Sequence, residues 1–212
     1  NGVNTLTPTN GTPYYPTGAN SVANIWAVYP SSVTSSSQTF TVALDQTNER
    51  DYKNSDLMYV KPFSQQKTSS TVSMPFIHQM AKLTVTASPG DGCTVDNTIT
   101  LKGVKRVIEI SPGSEDVLSV DNSDHYIVDW GSGGSNETIT IENGGSVLFP
   151  PQTVTSDDFI TVTGTYTENG QTKTGSATFD ITSKTFESGK EYNLSMAVGA
   201  DNFIDGVQIT GW

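Results

Sequence analysis

The sequence predicts an all-β protein, and three observations carry the prediction. Thr and Val recur where apolar and polar residues alternate, while Gly, Asn, Ser and Pro cluster between those segments. The alternation has a period of two, which sends successive side chains to opposite faces of a strand. The segments follow one another at intervals of roughly ten residues, the spacing of a β-sandwich. Hydrophobic residues make up 34% of the chain, enough for thin sandwiches in which only alternate positions face inward. Nowhere is the 3.6-residue period of a convincing amphipathic helix sustained; a turn or two of helix is expected only near residues 47–56.

Residues 1–21 hold Pro8, Pro13 and Pro16 around Tyr14 and Tyr15 and show no period, so they read as a loop or arm. The apolar run Val22–Tyr29 follows, ended by Pro30 and a Ser-rich turn. Phe40, Val42 and Leu44 alternate as a half-buried strand, and another short strand is expected at 57–60. Residues 64–70 (SQQKTSS) are the best internal linker. Beyond it Ala81, Leu83, Val85 and Ala87 share one face, closed by Ser88-Pro89-Gly90-Asp91-Gly92. Val95, Ile99 and Leu101, then the run 104–110, read as strands closed by Ser111-Pro112-Gly113. A loose region spans 121–136, with Trp130 in a Gly/Ser-rich setting. Ile139 and Ile141 form a short strand before Asn143-Gly144-Gly145, and residues 147–149 lead into Pro150-Pro151. The clearest hairpin joins 159–166 to a return strand bearing Ala177, Phe179 and Ile181. Its Asn169-Gly170 pair suits a type I′ turn, in which both central residues take φ > 0. Tyr192, Leu194, Met196 and Val198 alternate again, and residues 203–209 read as a final strand.

Composition excludes several function classes. With 22 acidic against 11 basic residues, the net charge of −11 leaves nothing to neutralise a run of phosphates, and it equally disfavours an anchor on anionic lipid. Cys93 is the only cysteine, so neither an intrachain disulfide nor a cysteine-based metal cluster is available. No apolar run reaches the length of about 18 residues expected of a transmembrane helix. The chain opens on Asn1 without a signal-peptide pattern, so it is expected to be a processed or trimmed form.

No set of residues composes a catalytic centre. His78 sits between Phe76 and Met80 and reads as a structural, hydrogen-bonded imidazole, while His125 follows acidic turn residues. No histidine–carboxylate spacing supports a metal site. Asp157 and Asp158, if both are in a strand, point to opposite faces, and with Asp121 and Asp124 they read as solvated turn acids. Asp121, Asp124 and Asp129, or Asp91 and Asp96, could ligate calcium, but EF-hand spacing is missing. There is neither a Gly-x-Ser-x-Gly elbow nor a P-loop lysine. The expectation is no enzyme, no cofactor and no resident metal. Trp26 reads as core, whereas Trp130, with Tyr14 and Tyr15, is the candidate for contact with a glycan or protein ligand.

An ordered set of short segments carries a resemblance. Residues 74–87, MPFIHQMAKLTVTA, resemble a strand of the type apolar–x–Phe–x–His–x–Met–Ala–x–apolar. Upstream lie Val28-Tyr29-Pro30, Asp45-Gln46, and Ser55-Asp56-Leu57-Met58. Downstream come residues 99–104 (ITLKGV), 148–152 (LFPPQ), 186–194 (FESGKEYNL) and the ending Gly211-Trp212. Together they are similar to the fimbrillin-like pilin and adhesin family of Bacteroidetes. That resemblance implies two transthyretin-like β-sandwich domains, here 1–71 (short or truncated) and 72–212, export as a surface lipoprotein, and display at the outer membrane. The lipid anchor, if present, would lie upstream of the chain.

The function this implies is a pilus subunit or adhesin assembled by strand complementation, without catalysis, its partners being other pilus subunits. The alternative is a carbohydrate- or host-ligand-binding surface module. The donor segment is sought in 1–12 or in a final strand with Phe203, Ile204, Val207, Ile209 and Trp212, the latter expected to pack within its own domain.

Overall fold

The computed structural model describes residues 21–34, 37, 39–68, 70–110, 127–129 and 137–205. They form an all-β fold with two short helices.

Two sheets enclose most of the core. In one, β5 (Ala81–Pro89) lies between β10 (Ser146–Phe149), antiparallel to it, and β15 (Glu191–Val198), parallel to it. The other has the order β13 (Gln171–Phe179), β12 (Ile160–Glu168), β6 (Cys93–Val104), β9 (Glu137–Glu142), all antiparallel. The period-two pattern decides what faces inward. Ala81, Leu83, Val85 and Ala87 are buried from the first sheet, as are Leu194, Met196 and Val198. Ile99, Leu101, Ile139, Ile141, Ile160, Val162, Ala177 and Phe179 meet them from the second, within one core cluster. Each Val, Leu, Ile, Met or Phe among them contributes roughly 1.5–3 kcal/mol by leaving water.

The β12–β13 hairpin turns as expected: Asn169 has φ 52° and Gly170 φ 77°, and Glu168 pairs directly with Gln171. An aromatic cluster closes one region of the core. Phe149 lies edge-on to Phe186 at 5.1 Å, and Phe159 stacks 6.1 Å from Phe186. Next to it β11 (Gln152–Thr153) pairs with β14 (Thr185–Phe186).

The remaining strands flank this sandwich. β1 (Val22–Tyr29) pairs with β3 (Met58–Gln66), which also pairs with β4 (Ile77–His78). β2 (Thr39–Thr41) pairs with β7 (Val107–Ile110), and β7 with β8 (Ile127–Asp129). Strands on the two sides of residue 71 therefore share the β2–β7 ladder, and Val33, Phe40, Val42, Leu57 and Tyr59 belong to the same buried cluster as the sandwich. Helix α1 (Glu49–Asn54) falls where a turn of helix was expected, opened by Asn48, whose side chain accepts from Asp51 N.

Three expectations are corrected. Leu44 does not continue the alternation of Phe40 and Val42; it is 47% exposed, because the strand ends at Thr41 before the chain bends towards α1. Residues 64–66 are not linker: Ser64, Gln65 and Gln66 pair with Asn24, Ala23 and Val22 in a ribbon whose polarity hid it. Phe203 and Ile204 are not in a strand. They lie in helix α2 (Ala200–Asp205), where Gly199 N donates to Asn202 Oδ1 at 2.8 Å and Asn202 N to Gly199 O at 3.2 Å. Val207, Ile209 and Trp212 lie outside the described residues.

Candidate functional site

Three of the segments that carried the family resemblance, 55–58, 74–87 and 186–194, meet in space. Asp56, just before β3, faces His78 on β4, Asp56 Oδ1 lying 2.8 Å from His78 Nδ1. β4 is held against β3 by the Met58–His78 pairing and by Gln79 N donating to Leu57 O at 2.8 Å. The segment 186–192 then clasps the chain leaving β4. Ser188 Oγ donates to Gln79 O at 3.0 Å and Gly189 N to Met80 O at 3.0 Å. A Cβ on Gly189, whose φ is +64°, would sit 2.9 Å from His78 O, so the clasp needs glycine there. Lys82 Nζ pairs with Glu191 Oε1 at 3.0 Å.

These groups line a depression of about 230 Å³ together with Tyr52, Met80, Leu148 and Lys190. Its electrostatics is that of a self-satisfied network. The hydrogen bond to Asp56 raises the His78 pKa above its ordinary 6.5, against the opposing effect of burial. The hydrogen bond to Glu191 raises that of Lys82, and burial pushes the Tyr52 phenol up. His78 and Asp56, and Lys82 and Glu191, are partnered with one another, so these four groups join segments of the chain.

Two glutamines perform the same joining role with neutral amides. Gln46 is 4% exposed. Its Nε2 donates to Leu148 O at 2.8 Å and Ala43 O at 3.2 Å, and its Oε1 accepts from Leu148 N at 2.9 Å. Gln46 thus behaves as a piece of strand for β10. Gln152 likewise accepts from Lys105 N at 3.0 Å and donates to Lys105 O at 3.1 Å. In the last motif, Phe186 and Tyr192 meet edge-on at 4.8 Å, and Tyr192 OH accepts from Glu187 N at 3.0 Å.

Two of the acids weighed as catalytic or calcium-binding residues, Asp158 and Asp96, are engaged elsewhere. Asp158 is held by Ser156 and by Lys102 at 3.0 Å, hydrogen bonds that keep its carboxyl below the ordinary carboxylate range. Asp96 accepts from the Thr163 hydroxyl. Among the described residues no group of three or more His, Cys, Asp or Glu is placed to hold a metal ion. Trp26 packs partly buried against the core, as expected. Trp130, Tyr14 and Tyr15, the residues singled out for ligand contact, lie outside the described residues, as do Asp121, Asp124 and His125.

Two features had no legible signal. One is the use of Phe203 as a plug between glycines of β12 and β13. The other is the edge of the first sheet, where β15 pairs with β5 and, among the described residues, with no strand on its other side.

A core of two β-sheets, a sheet edge without a partner strand among the described residues, and a junction holding segments together define a structural β-sandwich protein. The chain belongs to the fimbrillin-like family, whose model matches residues 1–212. Membership places it among non-enzymatic structural proteins.

Among solved structures, a cell adhesion protein of Bacteroides ovatus is similar at 16% identity, with 90% of this chain and 68% of that one covered and a TM-score of 0.56. A cell adhesion protein of Bacteroides thetaiotaomicron matches at 14% identity over 90% and 70% of the two chains, with a TM-score of 0.48. A fimbrial protein of Bacteroides ovatus matches at 13% over 83% and 36%, with a TM-score of 0.41. The first likeness is one of fold. No curated protein matches the chain.

Proposed function

We propose that this chain is an exported cell-surface subunit, fimbrial or adhesive, that joins its neighbours by strand complementation at the free edge of β15. Family membership supports the coarse role. The observation that carries the finer one is the parity of the β15 ladder. Lys82 N donates to Lys190 O at 2.9 Å and Gly90 N to Val198 O at 2.9 Å. In a parallel pair alternate residues bond to the same neighbour, so the even-numbered residues of β15 serve β5. The amides and carbonyls of Asn193, Ser195 and Ala197 then point to the other edge. Among the described residues no strand takes them up. An extended segment of another subunit would meet this ready-made ladder.

The division at residue 71 is proposed as the boundary between two units of the subunit that share one core; it falls in the connection between β3 and β4. Donor segments on the Asn1 side and on the Trp212 side are both compatible with this reading. The test is self-assembly of the purified protein, read by size-exclusion chromatography and electron microscopy. Ser195→Pro removes one outward donor while leaving the β5 ladder intact. The proposal expects oligomers from the parent protein and monomers from this variant. A parent that stays monomeric, or a variant that polymerises equally well, overturns it.

A further inference from the structure

We propose that a second surface, the pocket beside β2, binds a saccharide carrying a carboxylate, with Arg50 as its anchor. This inference stands apart from strand complementation and involves the opposite kind of surface, a small concave one.

The pocket has a volume of about 540 Å³, within the range of roughly 300–1,000 Å³ usual for small-molecule sites. Phe40 and Val33 bound it, but both are buried and belong to the core. The accessible lining is polar: the hydroxyls of Ser31, Ser32, Thr39 and Thr41, the amide of Asn54 and the guanidinium of Arg50. An apolar ligand finds little to bury there. A polyhydroxylated one finds donors and acceptors together.

The β2 backbone adds to this set. Val42 N donates to Arg106 O at 3.2 Å, and Phe40 is paired with Ile108. In an antiparallel ladder that parity turns Phe40 and Val42 towards β7 and sends the N–H and C=O groups of Thr39 and Thr41 to the free edge. Among the described residues β2 is the edge strand of its sheet, so those groups have no strand partner there, and Thr39 and Thr41 are among the residues lining the pocket.

Arg50 determines the charge of the ligand. Among the described residues it is the one charged side chain lining the pocket, in a chain whose net charge is −11. Its neighbours in α1 do not neutralise it. Glu49 is taken by Lys53 at 2.6 Å, and Asp51 accepts from Asn48 Nδ2 at 2.9 Å. Among the described residues Arg50 itself has neither an ion pair nor a side-chain hydrogen bond, whereas Arg106 is bonded to both Glu137 and Val42 O. A planar guanidinium left open beside hydroxyl and amide groups matches a carboxylate whose carrier also needs hydrogen-bond partners of both kinds.

The probes are glucuronic acid and N-acetylneuraminic acid, with glucose as the uncharged arm and inorganic phosphate as the anion without hydroxymethine groups. Binding is read on the full chain by amide chemical-shift titration. The expected result is a response at Ser31, Ser32, Thr39, Thr41 and Asn54 to at least one acidic sugar, and weaker binding of glucose. Arg50→Ala should weaken acidic-sugar binding by about tenfold or more, and Arg50→Lys should restore part of it by charge alone. Because Arg50 is exposed, an unchanged melting temperature separates lost binding from lost fold. No response to either acidic sugar overturns the inference. So does equal affinity in Arg50→Ala, equal response to phosphate, or a response mapping to other residues.

Discussion

The ring of Phe203 in α2 lies over the ring of Tyr166 in β12, their centroids 6.2 Å apart and their planes 14° from parallel. Two glycines make this stacking geometrically available. A Cβ on Gly175 would approach Phe203 Cβ to 2.7 Å and Phe203 O to 3.0 Å, and one on Gly164 would meet Thr94 O and the tip of the Phe203 ring. Bare backbone on β12 and β13 thus forms the seat into which the helix is pressed.

Phe203→Ala is therefore expected to cost about 3 kcal/mol or more, through lost burial and the cavity left against Tyr166. Gly175→Ala should cost about 1–3 kcal/mol by overpacking the same seat. Urea unfolding monitored by circular dichroism measures both. A Gly175→Ala protein as stable as the parent would mean that α2 does not press on β13.

Gln46 supplies the next test. Removing its amide in Gln46→Ala strips partners from Leu148 N, Leu148 O and Ala43 O, in a region where the side chain is nearly inaccessible. The expected loss is roughly 3 kcal/mol, since unsatisfied buried groups cost more than a made bond contributes. Gln46→Glu should be poorly tolerated as well, because a carboxylate cannot donate to the two carbonyls. Thermal melts of both variants decide this.

The Asp56–His78 pair predicts a pH dependence of definite sign. Because the folded-state pKa of His78 lies above its ordinary 6.5, its stabilising contribution is present in full below about pH 6.5 and is lost as pH rises through the raised value. The effect on stability should be small, since the imidazole is 60% exposed. An NMR titration of the His78 ring should give a midpoint above 6.5 in the parent protein and a lower one in Asp56→Asn. Identical midpoints in the two proteins would remove Asp56 as the cause.

The legibility of this fold varied with the locality of its interactions. The β12–β13 hairpin could be read because its alternation and its Asn-Gly turn are contained in one stretch of chain. The β5–β15 pairing could not, because parallel strands more than a hundred residues apart leave no mark of each other. Polar residues misled in two ways. Gln79 is fully buried and Gln46 nearly so, each paired through its amide, while residues 64–66 form strand despite looking like linker. Residues 203–209 read as a final strand, but at Phe203 tertiary packing of one ring on two glycines prevailed. The motif segments announced a family, but their convergence on Asp56, His78 and Gly189 is a property of the fold. Nothing in the local sequence marked the pocket around Arg50, because Ser31, Thr39 and Asn54 are brought together only by the turn between β1 and β2 and by the placement of α1.

Hydrogen exchange along β15, compared between the free subunit and the assembled form, tests strand addition most directly. In the free subunit the amides of Tyr192, Leu194, Met196 and Val198 should be protected by β5, while those of Asn193, Ser195 and Ala197 exchange readily. On assembly the three odd-numbered amides should become protected and the even-numbered ones should change little. Odd-numbered amides that exchange as fast in the assembled form as in the free subunit would contradict complementation at this edge.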